Sequence, residues 1–202
     1  GPYHIAGHSF GGKIAFEIAN QLLQQGDAPG VLALLDSAAP HYVSTDKEKI
    51  NQWTQAQWIV HTAAIVEQLC GMPAHITCDD LDPLDDHQQL QVFNRYLQRV
   101  GWIPDATDTS YLVGQINILK ANSQTEYSPQ HKLASHITYF RATHPMPGVD
   151  TEIHASANPA AEWQYHSEKP IDFIAVPGNH LTMLSKPHVA VLAQHIHKLI
   201  VK

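Results

Sequence analysis

A G-x-S-x-G pattern near the start of the chain supplies a candidate nucleophile. Residues 7–11 read GHSFG, and Ser9 stands at the centre. The apolar residues 3–6 before it predict a short strand, and residues 12–25 after it predict a helix. A sharp strand-to-helix turn lifts a serine hydroxyl clear of the sheet, beside the free N–H groups of the helix N-terminus. The pattern therefore predicts a nucleophilic serine, with the backbone N–H of Phe10 as an oxyanion donor.

A histidine in the last part of the chain is the candidate general base. A serine nucleophile needs a base within hydrogen-bond reach and a third group that orients the base. His180 follows an apolar strand, residues 171–176, and a Pro-Gly turn, and it precedes the final predicted helix. His188 falls inside that helix and is the weaker candidate. We therefore expect His180 to be the base.

Two aspartates compete for the role of the orienting acid. Asp36 stands directly after a fully apolar strand, residues 31–35. An ionised side chain at that place is costly unless another group pairs with it or uses it. Asp150 is the first carboxylate after the next-to-last predicted strand. Both fit the order of serine, acid and histidine along the chain that α/β-hydrolases use. We expect Asp36 to be the acid and keep Asp150 as the alternative.

The spacing of apolar residues predicts one parallel sheet with a helical insertion. The two early strands flank a helix as a βαβ unit, and residues 137–140 and 171–176 predict two later strands. About a hundred residues separate the second strand from the third, too many for a loop in a compact domain. Helical spacing occurs there over residues 46–69, 85–100 and 108–122.

We therefore predict an α/β-hydrolase fold divided into a core and a lid. The core comprises residues 1–40 and 131–202, and residues 41–130 form a helical lid insertion over the serine. The large aromatic side chains of the insertion are expected in its own core, with the lining of an acyl-binding cleft as the alternative: Trp53, Trp58, Phe93 and Trp102.

Composition excludes several classes of function. Twelve Lys and Arg residues against nineteen Asp and Glu give a net charge of −7 at pH 7. No basic run occurs, so we expect neither nucleic acid nor an anionic membrane as a partner. Neither a bilayer span nor a signal peptide is visible. Cys70 and Cys78 form no zinc or redox motif, which fits a cytoplasmic protein. The fifteen histidines are scattered, so no metal site is expected.

Three segments resemble the thioesterase domains that end nonribosomal peptide synthetases and polyketide synthases. They are residues 1–12 (GPYHIAGHSFGG), 34–40 (LLDSAAP) and 177–184 (PGNHLTML). The resemblance extends over essentially the whole chain and includes Trp163 before the last strand. It implies that Ser9 is the nucleophile, Asp36 the orienting acid and His180 the base.

The resemblance also implies a substrate class. A thioesterase of this kind releases an acyl or peptidyl chain from the phosphopantetheine thioester of an upstream carrier domain, by hydrolysis or by macrocyclisation through acyl-Ser9. It binds no cofactor of its own, because the phosphopantetheine belongs to the carrier. A stand-alone editing thioesterase, a small-ester hydrolase and a catalytically silent carrier-docking module stay open as alternatives.

The beginning of the sequence leads to a further expectation. The chain starts without Met, directly before the first strand, whereas the resembling domains have several strands and a second oxyanion donor before this point. We therefore expect the chain to be part of a longer polypeptide that also carries the carrier domain. The first strand would otherwise be an open apolar edge, through which the isolated chain would self-associate.

Overall fold

The computed structural model describes residues 1–40, 50–145 and 159–201. Its sheet has four parallel strands in the order β1-β2-β3-β4. These are β1 (His4–His8), β2 (Val31–Leu35), β3 (Thr138–Ala142) and β4 (Asp172–Val176). The strand predicted before the serine continues to His8, so the nucleophile candidate follows the strand directly.

The register of the strands brings their carboxyl ends together. His8 pairs with Leu35, and Leu35 pairs with Phe140. Because parallel strands point the same way, the residues that follow them lie at one edge of the sheet, where open α/β sheets bind ligands. Asp36 follows β2, and the segment with His180 follows β4.

The helix α1 (Phe10–Gln24) connects β1 to β2. Its buried positions are Gly12, Ala15, Phe16 and Ala19. Helical spacing predicts an apolar stripe that contains Ile14, Ile18 and Leu22 together with Ala15, Ala19 and Leu23. Ala15 and Ala19 are buried as predicted, whereas Ile14 and Ile18 are 50% and 44% exposed.

Both faces of β2 are buried, as its uninterrupted apolar run predicts. Leu32 and Leu34 belong to one core cluster, and Val31, Ala33 and Leu35 belong to the other. The first cluster includes Trp163 from α6 (Pro159–Tyr165), whose helix was not predicted, and the second includes Leu192 from α7 (Val189–Ile200).

The insertion has its own hydrophobic core. Contacts divide the chain into one compact unit of Gly1–Ser44 with Glu126–Lys202, and a second of Thr45–Thr125. The helices of the second unit are α2 (Gln55–Cys70), α3 (Cys78–Leu81), α4 (Asp86–Arg99) and α5 (Thr109–Gln124). Trp58 and Phe93 are buried in this core, and Trp53 packs against it. Trp102 is 49% exposed, so the expectation of core packing is wrong there.

The helix expected over residues 46–69 is interrupted. Residues 46–49 lie outside the described residues, residues 50 and 51 are helical, and residues 52–54 are not. The helix α2 starts at Gln55 because Thr54 forms a capping box with Gln57: the Thr54 side chain accepts from the Gln57 N–H, and the Gln57 side chain accepts from the Thr54 N–H. The role of the insertion as a lid stays a prediction.

Candidate active site

Ser9 occupies a strained turn between β1 and α1. Its φ of 54° and ψ of −126° are unfavourable for a residue other than glycine. The Ser9 N–H donates to the Leu35 carbonyl at 3.0 Å, and the Ser9 carbonyl accepts from the Gly12 N–H at 3.0 Å. These bonds hold the backbone in place. The Ser9 hydroxyl makes no capping bond to α1, so it is available for other partners.

Two glycines allow the close contacts that the turn requires. A Cβ at Gly7 would overlap the backbone of Gly11. A Cβ at Gly12 would overlap the side chain of Ser37, which follows β2 and Asp36. Larger residues at either position would therefore push α1 away from the ends of the strands.

The imidazole of His180 lies between Ser9 and Asp36. Its Nε2 is 3.0 Å from Ser9 Oγ, and its Nδ1 is 2.9 Å from Asp36 Oδ2. His180 and Asp36 are 5% and 2% exposed, so water scarcely competes for this contact. An ionised carboxylate only accepts hydrogen bonds, so Nδ1 carries the hydrogen and Nε2 accepts from the serine hydroxyl. This is the tautomer that a general base requires.

Backbone groups of the neighbouring strand fix Asp36. Its N–H donates to the Phe140 carbonyl at 2.7 Å, and its Oδ1 accepts from the Ala142 N–H at 3.1 Å. Asp36 has a φ of 47°, so the chain turns sharply after β2. The following carbonyl, of Ser37, accepts from Trp163 Nε1 at 2.7 Å. Sequence reasoning placed Trp163 only through the family resemblance; the structure shows what it holds.

The turn before the histidine is held by a glycine and an asparagine. Gly178 has a φ of 97°, and a Cβ there would lie 2.8 Å from the Met183 nitrogen. The side-chain oxygen of Asn179 accepts from the N–H groups of Leu181 and Thr182, at 3.0 Å and 2.8 Å. The Pro-Gly-Asn sequence thus builds a rigid platform for the residue that follows it.

His8 is a residue of the site that sequence reasoning missed. Its Nε2 lies 2.7 Å from the backbone carbonyl oxygen of His180, and the two rings have centroids 4.6 Å apart. Burial and the charge of His180 lower the pKa of His8, against the opposing effects of the carbonyl and of Asp36. The only sequence signal was its place beside Ser9, at the variable position of the G-x-S-x-G pattern.

Phe10 and His188 have defined positions in the structure, beside the three residues of the site. Phe10 is the first residue of α1. The N–H groups of a first helical turn have no acceptor within the helix, so the position of the Phe10 N–H is compatible with its predicted role as an oxyanion donor. His188 immediately precedes α7, so the prediction that it falls inside the final helix is wrong; its ring packs edge-on against His144 with centroids 5.4 Å apart. His180, and not His188, meets Ser9. Asp150 lies outside the described residues.

The described ranges hold neither a metal cluster nor a membrane-spanning helix. No group of three or more His, Cys, Asp or Glu side chains there is arranged to hold a metal ion. None of the helices in those ranges combines the length and the apolar character of a membrane span. The arrangement of a serine, a histidine and a buried carboxylate is instead suited to nucleophilic acyl transfer.

Comparison with known proteins agrees with this chemistry. A family model described as a thioesterase domain matches residues 1–200. The chain is 28% identical to chondramide synthase of Chondromyces crocatus over 96% of its length, and 28% identical to microperfuranone synthase of Emericella nidulans over 96%. It spans only 5% and 20% of those relatives.

A solved structure, the Vlm2 thioesterase domain, is also similar. It is 26% identical with a TM-score of 0.60, over 96% of this chain and 67% of that one. Together with the parallel sheet, this similarity confirms the predicted α/β-hydrolase fold.

Proposed function

The chain belongs to the thioesterase domain family, whose members are hydrolases acting on thioesters, and from this we propose that it is a serine thioesterase. Ser9 is the nucleophile, His180 the general base and Asp36 the acid that orients the base. One observation carries the proposal: the His180 ring lies 3.0 Å from Ser9 Oγ and 2.9 Å from Asp36 Oδ2.

Acylation begins when Ser9 Oγ attacks the thioester carbonyl carbon. His180 Nε2 takes the hydroxyl proton, and the buried Asp36 carboxylate stabilises the resulting imidazolium. The N–H of Phe10 donates to the oxyanion of the tetrahedral intermediate. When the intermediate collapses, the C–S bond breaks, the thiol leaves with the proton from His180, and an acyl ester on Ser9 remains.

Deacylation repeats these steps with a second nucleophile. His180 takes a proton from the incoming group as this group attacks the ester carbonyl carbon. When the ester bond breaks, His180 gives the proton to Ser9 Oγ. Water as the nucleophile gives a free acid. An amine or hydroxyl of the bound acyl chain gives a macrocycle. Both routes use the same three residues.

The substrate we propose is an acyl or peptidyl thioester on the phosphopantetheine of a carrier domain. Its support is the nature of the relatives: the chain spans only 5% and 20% of two synthases that it resembles over 96% of its own length. A domain of this size within a synthase receives its substrate from a neighbouring domain. The phosphopantetheine is part of the substrate, so the chain itself needs no cofactor.

The decisive experiment combines a mechanistic probe with a choice of substrates. In the full-length protein, a fluorophosphonate should label Ser9, and Ser9→Ala should abolish the label, whereas Ser128→Ala, at an exposed serine, should leave it unchanged. Turnover of a pantetheine thioester should exceed that of an oxygen ester of the same acyl group. Equal or faster oxygen-ester turnover would favour a small-ester hydrolase, and the absence of labelling would favour a silent module.

A further inference from the structure

The side chain of His8 connects the nucleophile strand to the backbone of the base. His8 is the last residue of β1 and directly precedes Ser9. Its Nε2 reaches the His180 carbonyl at 2.7 Å, across nearly the whole length of the chain. The bond therefore joins the neighbour of the nucleophile to the residue whose side chain must activate the nucleophile.

The contact with the His180 carbonyl determines which ring nitrogen of His8 carries a hydrogen. A carbonyl oxygen only accepts hydrogen bonds, so His8 Nε2 must donate its hydrogen. The His8 ring has electrostatic interactions with two ionisable groups, the imidazole of His180 and the carboxylate of Asp36. If His8 were protonated, two positive rings would face each other during catalysis, with their centroids 4.6 Å apart. A neutral His8 avoids this repulsion, in agreement with the lowered pKa.

The contact completes the support of the His180 segment. Asn179 holds the turn from within, through its bonds to Leu181 and Thr182. Those bonds fix the shape of the turn and not its distance from Ser9. The bond from His8 to the His180 carbonyl ties the turn to β1, and the bond from the His144 N–H to the Gly178 carbonyl, at 2.9 Å, ties it to the segment after β3. A misplacement of about 1 Å between reacting groups can cost about a hundredfold in rate.

We propose that His8 is a positioning residue, which holds His180 at hydrogen-bond distance from Ser9 through the His180 carbonyl. This inference rests on the proposed function, because it presumes that Ser9 and His180 react. His8 stands at the first variable position of the G-x-S-x-G pattern. The pattern requires no particular residue there, so the role of His8 in holding His180 is additional to it.

The test uses three substitutions of different reach in the full-length protein. His8→Gln places an amide N–H at nearly the same distance from the backbone as Nε2, whereas His8→Asn is one methylene shorter and His8→Leu has no donor. We expect His8→Gln to keep kcat within about threefold of wild type. His8→Asn and His8→Leu should lose about tenfold in kcat, the value of one hydrogen bond, with KM changed by less than about twofold. His197→Leu, at an exposed position of α7, is the matched control and should change neither value.

The comparison of Gln with Asn separates positioning from stability. Both are polar amides, so a loss of folding alone would affect them similarly, and thermal unfolding measures that loss directly. Equal kcat for His8→Gln, His8→Asn and wild type would overturn the inference, as would a loss confined to KM. Failure of the proposed function is a different result: fluorophosphonate labelling would then not depend on Ser9 in any of these variants.

Discussion

The indole N–H of Trp163 donates a 2.7 Å hydrogen bond to the carbonyl of Ser37, the residue that follows Asp36. Trp163 is fully buried and packs against Phe16 of α1, with ring centroids 5.3 Å apart. A single side chain thus links the segment after β2 to the helix that follows the nucleophile. We therefore expect the orientation of the candidate acid to depend on Trp163.

The first prediction concerns this link. Trp163→Phe removes the indole N–H, so the buried Ser37 carbonyl loses this hydrogen bond. The free energy of unfolding should therefore fall by about 1–3 kcal/mol. Asp36 should also lose orientation, so kcat should fall more than KM rises. Denaturant unfolding and steady-state kinetics measure the two effects. Trp102→Phe, at a half-exposed tryptophan, is the control; an equal loss there would show that the bond to Ser37 has no special importance.

A pair of glycines in α1 gives the second prediction. A Cβ at Gly12 would overlap Ser37, whereas a Cβ at Gly11 would meet nothing within 4 Å. Gly12→Ala should therefore destabilise the protein by about 1–3 kcal/mol through overpacking. Gly11→Ala should be neutral or stabilise it by up to about 1 kcal/mol, because alanine favours the helix. Chemical denaturation of both variants is the measurement, and a larger loss for Gly11→Ala would contradict the packing described for the turn.

The sequence sufficed to select the three residues that meet in the site. Each stands after a segment recognisable as a strand, and parallel pairing brings such positions to one edge of the sheet. Ser9 had the additional signal of the G-x-S-x-G pattern, and His180 that of a Pro-Gly turn. Their roles in catalysis stay a prediction, because proximity alone does not demonstrate a reaction.

The features that were missed depend on tertiary contacts. The bond between His8 and His180 exists only when β1 and the segment after β4 are folded together. Ile14 is 50% exposed whereas Phe16 is fully buried, a choice between two apolar residues of α1 that hydrophobic spacing alone does not make. The start of α2 at Gln55 was also missed, although Thr54 and Gln57 have the spacing of a capping box, a signal that the sequence contains.

The third prediction concerns stability at low pH. His61 packs against the rings of Trp53 and Trp58, and burial lowers its pKa below 6.5. In the unfolded chain this histidine binds a proton at a higher pH than in the folded protein, so folding becomes less favourable as the pH falls below about 6.5. Replacing His61 by Gln should reduce the loss of unfolding free energy between about pH 7.5 and about pH 5.5. Urea titrations at the two pH values give the comparison, and an unchanged loss in His61→Gln would show that His61 does not contribute.

The last prediction distinguishes the two candidate acids. Asp36→Asn keeps the size of the side chain but presents an amide to His180 Nδ1, which favours the wrong imidazole tautomer. Turnover should therefore fall by about 10⁴-fold, with little change in fluorescence-monitored unfolding. Asp150→Asn should change turnover by less than about threefold, because Asp36 already occupies the hydrogen-bond position at 2.9 Å from His180. Single-turnover acylation of the full-length protein with a pantetheine thioester is the measurement. If Asp150→Asn were the impaired variant and Asp36→Asn remained active, the acid would follow β3, and the buried pair of Asp36 and His180 would have a purely structural role.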